Sequence, residues 1–165
     1  MQEVAETTGT VAPSYRVSGK LGPEKTDALV IMCADRRFRR PAEHFLYKHL
    51  GLGNYDLVAI PGGVYMISFA DALPKQLKVG MQMVKFLARN HQLPRVVLIA
   101  HQGCSRYREG FSSWLHRPGF SLEEKQKADL VSVAENLREM LSDTTVEAYF
   151  AAIEGGDTVV FQPAA

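Results

Sequence analysis

The sequence predicts an α/β domain: a mainly parallel central sheet of four strands plus an antiparallel edge strand, with helices on both faces. Three observations predict it. Two short apolar runs, Ala28-Leu-Val-Ile-Met32 and Val96-Val-Leu-Ile-Ala100, read as strands buried on both faces, as in a parallel sheet. Segments with helical periodicity alternate with such runs, the pattern of βαβ units. The last run, Val146 to Ala152, turns at Gly155-Gly156-Asp157 into Thr158 to Phe161, a hairpin and therefore an antiparallel edge.

Residues 1–23 are rich in Thr, Ser, Gly, Pro and charge without sustained periodicity, and read as a flexible or loosely docked N-terminal arm. Residues 24–165 form a single domain. After the first strand, Pro41 to Leu50 reads as a helix with proline near its start and Gly51 beyond its end. Tyr55 to Ile60 is the second strand, ended by Pro61-Gly62-Gly63, where paired glycines permit close backbone approach or positive φ. Tyr65 and Phe69 follow as core, pocket or interface aromatics. From Gln76 to Arg89, Leu77, Met81, Val84 and Ala88 recur at helical spacing, and Pro94 opens the third strand. Gly103 to Gly119 is polar and irregular, with room for a short helix and a loop. Ser121-x-x-Glu124 is a capping-box signature before a helix striped by Leu130, Val133, Leu137 and Leu141.

Bulk properties narrow the function. A chain of 165 residues is long enough to bury one proper core, and 46% hydrophobic with 22% charged residues is ordinary globular composition. A net charge of +1 supplies no general attraction to nucleic acid or acidic membranes. No apolar run is long enough to span a bilayer. The first twenty residues lack a signal-peptide apolar core, so the expected location is cytoplasmic. The chain has two cysteines, which favours metal or catalytic use over a disulfide scaffold.

Both cysteines fall just beyond the two most apolar strands, where open α/β sheets bind ligands. Cys33 closes the first strand, with Asp35 and Arg37 at alternate positions after it; His101 closes the third, followed by Cys104. Two thiolates and one imidazole form a three-ligand zinc set, leaving a fourth place to water, substrate or Asp35. With no third cysteine, that is the composition of a catalytic site rather than a structural one. His44 and His49 lack partners at matching spacing and read as solvent or core residues.

Cys33-x-Asp35-x-Arg37 followed by His101-x-x-Cys104 resembles the β-class carbonic anhydrases, and the likeness extends from about Asp27 to Phe161. The resemblance implies zinc-dependent reversible hydration of carbon dioxide to bicarbonate by a metal-bound hydroxide, a lyase (carbonate dehydratase) reaction. It implies Cys33, His101 and Cys104 as metal ligands. Asp35 and Arg37 would be the catalytic dyad, with Arg37 holding Asp35 off the metal and Asp35 a candidate fourth ligand in a closed state. It further implies a homodimer or higher homo-oligomer, with neither nucleic acid nor membrane as partner.

The chain also departs from the family's pattern. Ile60-Pro61-Gly62-Gly63 stands where the family usually has Arg-Asn before small residues, and Ser105-Arg106 stands where it has glycine after the second cysteine. The loop after Arg37 reads as about two residues longer, through Phe38-Arg39-Arg40. The metal and dyad therefore read as intact and the substrate pocket (Gly62, Gly63, Ser105) as rebuilt. Arg106 reads as a solvated charge, with a replacement cationic contact as the other reading.

The alternative function is a carbonic anhydrase-like zinc protein with little or no hydration activity, acting on or binding a different small molecule or partner. Hydrolysis of a sulfur analogue of carbon dioxide is a related option. Cys33-x5-Arg39 fits the bare spacing of a thiol phosphatase loop, but Asp35 inside it would repel a phosphate and the loop lacks glycine. The Arg36 to Arg40 cluster reads as a solvated loop or subunit contact rather than a nucleic-acid patch.

Overall fold

The computed structural model describes residues 22–68 and 78–164, with Ser14 and residues 17–19. Most of the expected arm over residues 1–23, together with Phe69 and the helix start at Gln76 and Leu77, lies outside the described residues. Strands β1 (Ala28–Cys33), β2 (Tyr55–Ile60), β3 (Arg95–His101) and β4 (Thr145–Glu154) run parallel in the order β2-β1-β3-β4. Strand β5 (Thr158–Pro163) closes the sheet antiparallel to β4. Helices α1 (Arg36–Lys48), α2 (Tyr65–Ser68), α3 (Lys78–His91), α4 (Ser105–Gly110) and α5 (Leu122–Met140) occupy the connections.

The central position of β1 and β3 follows from their composition. All six residues of β1 are buried, because helices cover both faces of the sheet. On one face Leu29, Ile31, Val96, Leu98, Val146 and Phe150 pack against Leu130, Val133 and Leu137 of α5 and Val84 of α3. On the other, Val30, Met32, Val97 and Ile99 meet Phe38, Ala42 and Leu46 of α1. Each fully buried aliphatic side chain contributes about 1.5–3 kcal/mol of transfer free energy, so this double-sided core is the main driving force for the sheet. Helix α5 starts where the capping signature places it, with Ser121 Oγ accepting from Glu124 N at 3.2 Å.

Helix α1 departs from expectation. It begins at Arg36, five residues ahead of Pro41, so Phe38-Arg39-Arg40 is helix rather than an extended loop. The cause is Asp35, whose carboxylate accepts from Arg37 N at 3.0 Å and caps the helix. Pro41 sits in the second turn, where it removes the N–H that would bond the Arg37 carbonyl. The short helix α2, immediately after the Pro61-Gly62-Gly63 turn, was also not expected from the sequence.

At the opposite end of the sheet from the cysteines, Arg95 ties three segments together. Its Nη2 donates to Glu147 Oε2 on β4 at 2.9 Å and its Nη1 to the Leu50 carbonyl at 3.1 Å. The hydrogen bond from Arg95 holds the Glu147 carboxyl below its ordinary value. Tyr149, which donates to Glu147 Oε2, is pushed up to about 12 by burial and by that carboxylate. A carboxylate with a lowered folded-state pKa contributes stability that is present above its unfolded pKa of about 4.3 and lost as pH falls through the folded value. In urea unfolding, Glu147→Gln is therefore expected to cost on the order of 1 kcal/mol near pH 7. The gap to the unmodified protein should close as pH drops below about 4.3.

Candidate metal centre

Because β1 and β3 are hydrogen-bonded neighbours, their carboxyl ends emerge side by side, and each delivers one ligand candidate. Cys33 is the last residue of β1 and His101 the last of β3; Cys104 follows three residues later as the N-cap of α4. The two sulfurs lie 3.9 Å apart, and one ligand atom from each of Cys33, His101 and Cys104 falls within 4.8 Å of the others. All three residues are buried. Residues 71 and 68 positions apart in the chain are thus brought together at one strand end, as the spacing implied.

The imidazole is oriented. His101 Nδ1 lies 2.9 Å from the Gln102 carbonyl, which can only accept, so the proton is assigned to Nδ1. Nε2 then carries a lone pair, and it is buried without a hydrogen-bond partner among the described residues. A buried imidazole acceptor beside two thiols fits a thiophilic divalent ion, and zinc takes this set of nitrogen and sulfur donors. Phe38 of α1 packs on the ring, centroids 4.2 Å apart, and limits its rotation.

The sulfur pair is biased toward releasing a proton. Cys33 is lowered to about 4, first by the hydrogen bond from Cys104 and then, against burial, by the neighbouring His101 side chain and the backbone N–H groups of Gly62 and Asp35. Gly62 N donates to Cys33 Sγ at 3.3 Å. Cys104 is pushed up, because it holds the proton the pair shares and is itself buried. A bound cation reverses that second shift, since a coordinating thiol is deprotonated.

Asp35 and Arg37 form the expected dyad. Arg37 Nε lies 3.0 Å from Asp35 Oδ1, and Nη2 lies 2.6 Å from Oδ2. That fork holds the Asp35 carboxyl down at about 2, so it is ionised at any physiological pH. Both oxygens face Arg37, and Asp35 stands outside the three-residue cluster.

A cavity of about 230 Å³ opens beside Cys33, lined by that residue with Ala34, Asp35, Pro61, Gly62, Ser105 and Arg106. Gly62 and Ser105 are on its wall, whereas Gly63 is behind it. Gly63 has φ +50°, and a Cβ there would lie 2.7 Å from Cys33 N and from Met32 C. It is the glycine that lets the turn touch the β1 backbone. Arg106 is not simply a solvated charge. Its Cγ lies 2.9 Å from where a Gly62 Cβ would sit, its guanidinium is 5.2 Å from the Tyr65 ring centroid, and Nη1 bonds Glu109 at 3.0 Å. The larger groove of about 620 Å³ lies elsewhere, between α1 and β5, with His44 and His49 on its wall and none of the sulfurs. Of the two, the smaller cavity has Cys33 and Asp35 on its wall and the larger has neither.

Sequence reasoning missed Phe38, whose helical position was not foreseen. It also missed Gln102, whose Oε1 accepts from Ile153 N at 2.8 Å and pins the ligand loop to β4. No local pattern marks either residue; both act through contacts distant in the chain.

A thiol- and imidazole-bearing strand end beside an ionised Asp–Arg pair defines an α/β protein with a candidate metal site, the arrangement of the carbonic anhydrase type. Residues 23–160 match the model of the family described as "Putative carbonic anhydrase", and the chain belongs to that family as a divergent, β-carbonic anhydrase-like member. The fold is similar to that of the β-carbonic anhydrase CcaA, at 12% identity and TM-score 0.55 over 85% of each chain. It is similar also to β-carbonic anhydrase isoform I of the protozoan Trichomonas vaginalis, at 13% identity and TM-score 0.51 over 87% of this chain and 86% of that one. Tetrameric β-carbonic anhydrases of the ascomycete Sordaria macrospora match at 11% identity and TM-score 0.51, over 84% of this chain and 81% of theirs. No curated protein matches the chain significantly. Among the described residues, no helix is long and apolar enough to cross a membrane.

The glycines give a direct test of this geometry. Gly103 has φ +70° and open space where a Cβ would go, so Gly103→Ala is expected to cost about 1–2 kcal/mol of backbone strain. Gly63→Ala adds a backbone clash to comparable strain and should cost well over ~3 kcal/mol in urea unfolding.

Proposed function

We propose that this protein catalyses the zinc-dependent reversible hydration of carbon dioxide to bicarbonate. The observation that carries the reading is the buried Cys33–His101–Cys104 cluster, whose imidazole Nε2 has no hydrogen-bond partner among the described residues. Cys33, Cys104 and His101 Nε2 would hold the ion, the two thiolates balancing its charge. Zinc bound there supplies a Lewis-acidic position that makes water a usable nucleophile near neutral pH.

The chain's own groups do the rest. Arg37 keeps the Asp35 carboxylate ionised and away from the ligand set, free to accept a hydrogen bond from a water at the cavity wall and orient it. Thiolates donate more electron density than imidazoles and would leave the ion a weaker Lewis acid, so the orienting role of Asp35 would carry weight. Ala34, Pro61 and Gly62 offer an apolar wall, which suits a neutral linear molecule with no hydrogen-bond donors. Hydration consumes one water and yields bicarbonate plus one proton, which passes to solvent. Like the tetrameric β-carbonic anhydrases of Sordaria macrospora, we propose, this chain forms a homo-oligomeric assembly.

A second reading has one observation in its favour: Arg106 lies across Gly62 and borders the cavity, placing a cation where the family usually has glycine. A carbonic anhydrase-like zinc protein acting on, or binding, another small molecule or partner would follow. Stopped-flow hydration on protein of known metal content separates the two. The first reading expects about one zinc per chain and rates above background that rise with pH. Full zinc with background rates at every pH would leave the second.

Two variants test the division of labour. Cys104→Ser should lose zinc by metal analysis and unfold more readily. Asp35→Ala should retain zinc while turnover falls by on the order of 10²-fold, the usual weight of a positioned proton acceptor.

A further inference from the structure

Gln126 is the most deeply buried polar residue of α5, with 1% of its surface exposed. Its position continues by one turn the apolar stripe of Leu130, Val133, Ala134 and Leu137, where a leucine would pack without an amide to satisfy. Its Nε2 donates to the backbone carbonyl of His101 at 2.8 Å, a contact spanning 25 residues. That carbonyl needs a donor from outside the sheet. The β1–β3 ladder stops at Met32 and Ile99, and β1 then turns away into α1.

The consequence reaches the imidazole. The His101 carbonyl belongs to the peptide unit joining His101 to Gln102, and the Gln102 carbonyl in turn accepts the proton of His101 Nδ1. That second carbonyl belongs to the following peptide unit, Gln102–Gly103, which is hinged to the first at the Gln102 Cα, so holding the first unit fixes one side of the hinge that orients the ring. We infer that Gln126 is a positioning residue for the metal centre, its amide locking the His101–Gln102 peptide so that His101 Nε2 faces the two sulfurs. The inference rests on the reading of Cys33, His101 and Cys104 as metal ligands, and not on the identity of the substrate.

Cobalt(II) substituted for zinc reports ligand geometry in its visible absorption bands, and its transfer to a chelator reports how firmly the ligands hold. Gln126→Met keeps length and removes the donor; Val133→Ala, about two turns further along the same helix in the apolar core, controls for lost stability. Gln126→Met is expected to shift the cobalt bands and to release metal on the order of 10-fold faster, the usual scale for losing an outer hydrogen bond to a ligand. Val133→Ala should leave both unchanged. Where the methionine variant fails to fold, Gln126→Asn, which withdraws the amide by one carbon, should give the same shift. Bands and release rates in the Gln126 variants matching the unmodified protein, or matching Val133→Ala, would overturn the inference alone. Absence of thiolate-to-cobalt charge transfer in the unmodified protein would overturn the metal reading and this inference together.

Discussion

The hydrogen-bonded adjacency of β1 and β3 is the constraint on which the rest of the molecule depends. Two parallel neighbours end at the same edge of a sheet, so a residue closing each is delivered to one place without any loop having to search for it. Both strands are buried on both sides, and the core that fixes their register is the same core that fixes the sulfur-to-imidazole geometry. A slip of one residue between them would send Cys33 and His101 to different levels and turn their side chains to opposite faces.

Around that constraint the site is assembled from several directions. Helix α1 contributes Phe38 against the imidazole, α5 contributes Gln126 to the ligand loop, and β4 takes up Gln102. The glycine turn after β2 lies on the β1 backbone and donates an N–H to Cys33. A buried cluster of polar and thiol groups is costly unless each is satisfied; here the neighbouring segments supply partners to Cys33, to Gln102 and to the His101 carbonyl, while His101 Nε2 keeps none among the described residues.

How much of this could be read from sequence depends on whether the signal is local. The two apolar strands, the hairpin at Gly155-Gly156 and the Ser121 cap are local patterns, and the structure has them. The grouping of Cys33, His101 and Cys104 follows from two strand ends and a short spacing. The start of α1 was obscured because Asp35 read as chemistry while Pro41 read as a helix start; the carboxylate serves both the dyad and the cap. Arg106 read as solvated because sequence carries no sign that its stem would cross Gly62. Gln126 is invisible for a related reason: one amide in an apolar stripe announces a partner but does not say which carbonyl, 25 residues away, it serves.

The shared duty of Asp35 couples chemistry to a helix terminus. The oxygen that accepts from Arg37 N is part of the same carboxylate that Arg37's side chain grips. Turning that carboxylate inward toward the sulfurs would strip α1 of its cap, a change worth about 0.5–2 kcal/mol, and break the fork with Arg37 as well. Any inward-facing form would thus be destabilised by fraying of the first turn of α1, and mutations or partners that loosen or tighten that turn would change its cost from a distance.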